Sequence, residues 1–78
     1  MNNNYYHTSD LGLAAALLTY GIELVGIDKA DPRRVVFAFI EKGDLGDIVE
    51  GYWNGSLCLG VLRYFENRKL LKSRIYGN

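Results

Sequence analysis

Arg34-Val35-Val36-Phe37-Ala38-Phe39-Ile40 is apolar on both of its alternating faces, with Val35, Phe37 and Phe39 on one and Val36, Ala38 and Ile40 on the other. Side chains alternate across a strand, so the run reads as a central strand with apolar surface front and back. Upstream, Ile22-Glu23-Leu24-Val25-Gly26-Ile27-Asp28 is rich in β-branched residues and leads to Asp31-Pro32, which opens a turn. The two runs predict a hairpin. A chain of 78 residues has room for one domain and few helices to cover such a strand. If helices cover one face only, the other is left for a partner, and a second copy of the chain is the simplest one.

Outward from the hairpin, Met1 to Asn4 is polar and expected to fray, while Tyr5-Tyr6-His7-Thr8 has the residue types of a short edge strand. Thr8, Ser9 and Asp10 are all N-cap types. Leu11, Ala14, Ala15 and Leu18 then fall on one helical face, widened by Leu13 and Leu17, and Gly21 supplies a left-handed stop. A first helix over residues 9–20 follows. Asp44 is expected to cap a second helix, with Asp47 in its first turn, and Leu45, Ile48, Val49 and Tyr52 recur at i, i+3, i+4 and i+7 before Gly55 ends it. Leu57-Cys58-Leu59 is a short extended connection or minor strand, and Val61 to Tyr76 forms a third helix. Val61, Tyr64, Phe65, Leu71 and Ile75 group on its apolar face, with Leu62 at the edge and the stems of Arg68 and Lys72 lying along it. The expected fold is a single α+β domain over residues 1–78 in the order β-α-β-β-α-α. Its small antiparallel sheet has the 22–28/34–40 hairpin at the centre, a possible N-terminal edge strand, and three helices packed on it.

Composition narrows the function classes. With 49% apolar and 13% aromatic residues, burial offsets chain entropy and a folded domain is expected. One cysteine and one histidine supply neither an intramolecular disulfide nor a four-ligand zinc site, so no metal and no cofactor is expected. No basic leader precedes an apolar run, and no run approaches the roughly 18 residues of a membrane span, so the chain reads as cytoplasmic with no membrane partner. Net charge is zero, yet residues 1–59 hold four basic and eight acidic side chains and residues 60–78 five basic and one acidic. Zero net charge gives little long-range pull on nucleic acid, although a basic patch still acts within a Debye length.

Gly51-Tyr52-Trp53-Asn54-Gly55 is the stretch most like a site. Read as a site, its indole is a platform for a ring or a partner side chain, with Asn54 as polar reader. Read as structure, it is a helix end beside a core, because Tyr52 lies on the buried stripe and Asn54-Gly55 is helix-ending chemistry. The structural reading is favoured, and Trp53 fits either. On the third helix, Arg63, Arg68, Lys69, Lys72 and Arg74 with Tyr64 and Tyr76 interleaved have the composition of a phosphate-binding helix. At about 100° per residue the five charges scatter round the helix, and cations near its C-terminus suit the macrodipole without a ligand. His7 beside Ser9 and Asp10 is better explained by an exposed strand residue next to capping residues than by catalysis. Cys58 reads as a small buried hydrophobe. The glycines match no phosphate-cradling register, and Asp28, Asp31, Asp44 and Asp47 match no calcium loop.

Tyr5-Tyr6, Thr8-Ser9-Asp10-Leu11, Gly21 to Ile27, Val36-Phe37-Ala38-Phe39, Tyr52-Trp53-Asn54-Gly55, Arg63-Tyr64-Phe65 and Leu71 to Tyr76 together resemble domain of unknown function 5659, a family of short proteins from bacteria, phages and environmental sequences. The likeness spans nearly the whole chain. It implies a self-standing protein, carried by a phage or other mobile element, and no activity, cofactor or catalytic residue.

These readings lead to a non-enzymatic binding module that forms a homo-oligomer. Aromatic surface from Tyr5, Tyr6, Trp53 or Tyr76, with Asn54, is expected to meet a sister subunit, another protein or a small ligand. Two alternatives stand beside it: a nucleic-acid-binding accessory protein using Arg63, Arg68, Lys69, Lys72 and Arg74, and a protein that binds or sequesters a nucleotide-like ligand. No catalytic residue is expected.

Overall fold

The structure, a computed structural model, describes residues 4–76. It contains β1 (Tyr5–Thr8), α1 (Leu11–Thr19), β2 (Leu24–Asp28), β3 (Val36–Ile40), α2 (Leu45–Asn54) and α3 (Val61–Tyr76), the expected α+β order.

The apolar β3 is the central strand of a three-stranded sheet, with β1 and β2 antiparallel on either side of it. Register divides the sheet into two faces. Tyr6 and Thr8 lie beside Phe39 and Phe37, and Leu24 and Ile27 flank the same two residues from β2. Phe37 and Phe39 are buried at the centre of the core, where removing such a ring from water is worth roughly 2–3 kcal/mol. Tyr5, His7, Val36, Ala38, Ile40, Gly26 and Asp28 occupy the opposite face. A β-bulge between Leu24 and Gly26 adds Val25 to the β2 edge.

Both hairpin strands are shorter than the 22–28 and 34–40 expected. Ile22 is held by the end of α1, its amide donating to the Leu17 carbonyl at 3.0 Å, and the Arg34 amide donates to Asp31 O at 3.0 Å within the turn. Backbone groups used at a helix end or a turn are not available to the ladder.

The first helix begins at Leu11 and ends at Thr19, inside the 9–20 expected. Among the three capping residues Asp10 takes the cap, with Oδ1 accepting from the Leu13 amide at 2.9 Å, while Thr8 Oγ1 accepts the amide of Asp10 itself at 3.1 Å. Instead of burying one stripe, α1 is buried at every residue from Leu13 to Leu17. It packs against β1, α2 and α3, and its three central alanines let these neighbours approach closely.

Asp44 precedes α2 without capping it. Its backbone at φ −85°, ψ 8° is not the extended conformation a side-chain cap requires, and only its carbonyl is used, by the Ile48 amide at 3.0 Å. Leu45 and Ile48 enter the core, with Val49 and Tyr52 packed against it.

The face of α3 differs most from expectation. Leu71 is its one fully buried residue, Tyr64 and Ile75 pack beside it, and Val61, Leu62 and Phe65 are 69%, 71% and 55% exposed. Arg68, three residues before Leu71, is half-buried. Cys58 is exposed rather than buried, in a segment that is neither helix nor strand, while its neighbour Leu57 packs against the core. The fraying expected for residues 1–4 falls largely outside the described residues, but Asn4 is tied down, its carbonyl accepting the Glu41 amide at 2.9 Å. Among the described residues no helix is long and apolar enough to cross a membrane.

Candidate functional site

The Gly51–Gly55 box is mainly a helix terminus. Gly55 adopts φ 80°, the left-handed turn that ends α2, and its amide donates to the Gly51 carbonyl. The Asn54 side chain, expected as a polar reader, instead accepts the Ser56 amide at 2.9 Å. Tyr52 and Trp53 meet edge to face, with ring centroids 4.9 Å apart, yet only Tyr52 packs on the core; Trp53 is 64% exposed.

Tyr52 reaches the first turn of α1. Its hydroxyl donates to Asp10 Oδ1 at 3.1 Å, the same oxygen that caps α1, and the Tyr64 hydroxyl donates to the Gly12 carbonyl at 3.2 Å. Gly12 makes room for both: a Cβ there would collide with the Tyr52 hydroxyl and stand 3.1 Å from that of Tyr64. Burial first, then the charge and hydrogen bond of Asp10, push the Tyr52 phenol from 10.0 up to about 12, with Tyr64 adding to the rise and the Arg68 cation opposing it. Arg68 Nε is buried without a hydrogen-bond partner among the described residues. A phenol raised this far is a neutral donor at pH 7. The cluster therefore fastens α2 and α3 to the start of α1.

The other expected binding residues do not converge. Tyr5 lies on the open sheet face and is 46% exposed, Tyr6 packs on the core from the opposite face, and Tyr76 is 79% exposed at the end of α3. The cations of α3 also diverge: Arg63, Lys69 and Arg74 are exposed, Arg68 is half-buried, and Lys72 lines a cleft described below.

Several surface depressions are present, the one among Tyr20, Asp44, Asp47, Ile48 and Leu57 measuring about 320 Å³. On the open sheet face, His7, Gly26, Asp28, Val36 and Ala38 help line a shallow depression of about 280 Å³. Between the β2–β3 turn and the C-terminal half of α3 lie two adjoining depressions of about 240 and 250 Å³ that share Pro32, Val35, Ile75 and Tyr76. Arg33, Arg34 and Lys72 line the first and Lys29 the second. Arg34 Nε donates to Ser9 Oγ at 3.3 Å, and Lys29 Nζ donates to the Arg74 carbonyl at 3.0 Å. Asp28 and Asp31, the acids of the turn, accept the amides of Ala30 and Arg33. Arg33 and Arg34 escaped the sequence reading because it sought cations along one helix, and the turn meets that helix only in the fold. The visible signal was the doubled arginine after Pro32.

Among the described residues no group of three His, Cys, Asp or Glu side chains is placed to hold a metal ion. No curated protein and no solved structure matches the chain. Residues 3–77 match the family described as domain of unknown function (DUF5659), and the chain belongs to that family.

Proposed function

We propose that this chain is a non-enzymatic interaction module that pairs with a second copy of itself through the open face of its sheet. The observation carrying this reading is the one-sided cover of β3. Phe37 and Phe39 belong to the helix-packed core, whereas the depression over Val36 and Ala38 is lined by strand residues alone. The face suits a copy of itself. Small residues, Gly26 and Ala38, sit side by side at its centre, and a two-fold axis along β3 lays β1 of one copy over β2 of the other, bringing His7 to the side that carries Asp28.

Three short strands offer less than the roughly 800 Å² per partner of a standard interface, so the association expected is weak, with Kd on the order of micromolar or above. Light scattering behind size-exclusion chromatography, over a series of loading concentrations, tests it. A mass rising toward twice the monomer supports pairing, and a constant monomer mass up to several hundred micromolar refutes it. Following the family resemblance, the setting we propose is the cytoplasm of a host carrying a phage or other mobile element. The nucleic-acid reading has less support, because the five cations of α3 share no single face.

A further inference from the structure

We propose that the cleft between the β2–β3 turn and α3 is a second, independent binding site, for a small organic phosphate with a planar body, of the nucleotide type. Its lining divides by chemistry. Val35, Phe37 and Ile75 supply an apolar wall, Arg33, Arg34 and Lys72 supply positive charge beside it, and among the described residues no carboxylate lines either depression. An apolar wall with a few charges at one end is what binds an amphipathic anion, the ring on the wall and the phosphate at the cations.

The site is also partly preorganised. The turn is braced by Asp28 and Asp31, whose side-chain oxygens accept amides within it, so these carboxylates are engaged at the turn backbone. Arg34 is steadied by Ser9, and Lys29 fastens the turn to the last turn of α3 through the Arg74 carbonyl. Tyr76 lines both depressions and is 79% exposed, so its ring can close over a bound base at small cost in burial.

The same layout argues against a polynucleotide. A strand needs cations along a track, but Arg63 and Lys69 lie outside the cleft, about 180° and 60° round α3 from Lys72. Arg33, Arg34 and Lys72 line one depression and form no track, which suits one phosphate group or a short chain of them.

The test is a titration of isotope-labelled protein followed by amide chemical shifts, with AMP, ATP, adenosine and inorganic phosphate as separate probes and a twenty-nucleotide single strand as a fifth. AMP or ATP should shift the amides of Arg33, Arg34, Lys72 and Tyr76. Adenosine and phosphate alone should bind at least about tenfold more weakly, since each keeps half of the contacts. Replacing Arg33 and Lys72 together by Ala should weaken nucleotide binding about tenfold or more, and because both are surface residues the circular dichroism spectrum and melting curve should stay unchanged. The proposal is overturned if no nucleotide shifts these amides at millimolar concentration, or if the double variant binds as well as the parent. It also falls if the single strand binds more tightly than ATP, or if the double variant lowers the molecular mass instead, which would make the cleft a subunit contact. Failure of the sheet-face pairing leaves the amide-shift and affinity readouts unaffected.

Discussion

The Tyr52 hydroxyl donates to Asp10 Oδ1 at 3.1 Å, and that oxygen also accepts the Leu13 amide that starts α1. One carboxylate oxygen thus joins the C-terminal half of α2 to the N-terminus of the most buried helix, across 42 residues of chain. Removing the phenol oxygen leaves the cap intact, whereas removing the carboxylate loses both interactions. Tyr52→Phe is expected to lower the unfolding free energy by about 1–2 kcal/mol. Asp10→Ala is expected to lower it by about 2–3 kcal/mol, since a cap contributes roughly 1 kcal/mol more. Urea denaturation at pH 7 with an unchanged slope checks both values. Equal losses in the two variants would mean that the cap contributes nothing, and no loss in Tyr52→Phe that the phenol bond contributes nothing.

Alkaline pH probes the same bond. The Tyr52 phenol is raised to about 12 by burial and by Asp10, above the 10.0 of an unfolded tyrosine. Above pH 10 the unfolded chain gives up this proton while the folded chain keeps it, so the contribution of Tyr52 is fully present below pH 10 and declines toward pH 12. The useful quantity is the difference between parent and Tyr52→Phe. That difference should shrink as pH rises from 9 toward 12, and the ultraviolet titration of the variant should lack its latest phenolate. A difference that stays constant contradicts the assignment.

At Gly12 two effects compete. Alanine is favoured over glycine inside a helix by roughly 1 kcal/mol, but here the added methyl would strike the Tyr52 hydroxyl and crowd that of Tyr64. Both tyrosines would have to withdraw, losing two hydrogen bonds of roughly 1 kcal/mol or more each. Gly12→Ala is therefore expected to destabilise by about 1 kcal/mol net. In a Tyr52→Phe background the closest clash is gone, and the penalty should fall to near zero or reverse sign. Thermal melts of the four proteins in this cycle decide the matter, and additive effects would rule out the close approach.

Much of the architecture could be read from local chemistry. Val36 to Ile40 announced a central strand because its β-branched and aromatic residues are apolar on both alternating faces, and Gly21 and Gly55 marked helix ends because both sites need a left-handed backbone, at φ 88° and 80°. The face of α3 was not legible. Counting apolar residues admits a broad stripe, and on a wheel Val61 and Phe65 lie only about 60° and 100° from Tyr64. Packing is narrower: α3 lies chiefly against α1, so the buried arc centres on Tyr64, Leu71 and Ile75, and Arg68 falls closer to it than Phe65 does. Arg33 and Arg34 were invisible for the complementary reason, since their proximity to Lys72 and Tyr76 exists only after α3 returns to the hairpin.

Trp53 reports on the surface and not on the core. At 64% exposure its emission should resemble that of an indole in water and be readily quenched by acrylamide, and Trp53→Ala should change stability by no more than about 0.5 kcal/mol. A blue-shifted, shielded emission that moves to the red on dilution would show instead that Trp53 is covered by a second copy.

The two faces of β3 should respond differently to substitution. Phe37 and Phe39 lie in the core with Leu13, Leu17 and Leu71, so Phe39→Ala is expected to cost about 3–5 kcal/mol. That is enough to unfold much of a domain whose total stability is on the order of 5 kcal/mol. Ala38 is next in sequence but points to the open face, with no helix above it. Ala38→Glu should keep the circular dichroism spectrum and most of the melting temperature, because the carboxylate remains in water when the chain is alone. In a paired state the same carboxylate would be buried against its symmetry mate, and like charges brought together out of water are strongly unfavourable. The variant should therefore remain monomeric at concentrations where the parent pairs, and Val36→Lys should do the same. If both variants fold and keep the parent's concentration-dependent mass, the pairing surface lies elsewhere on the molecule.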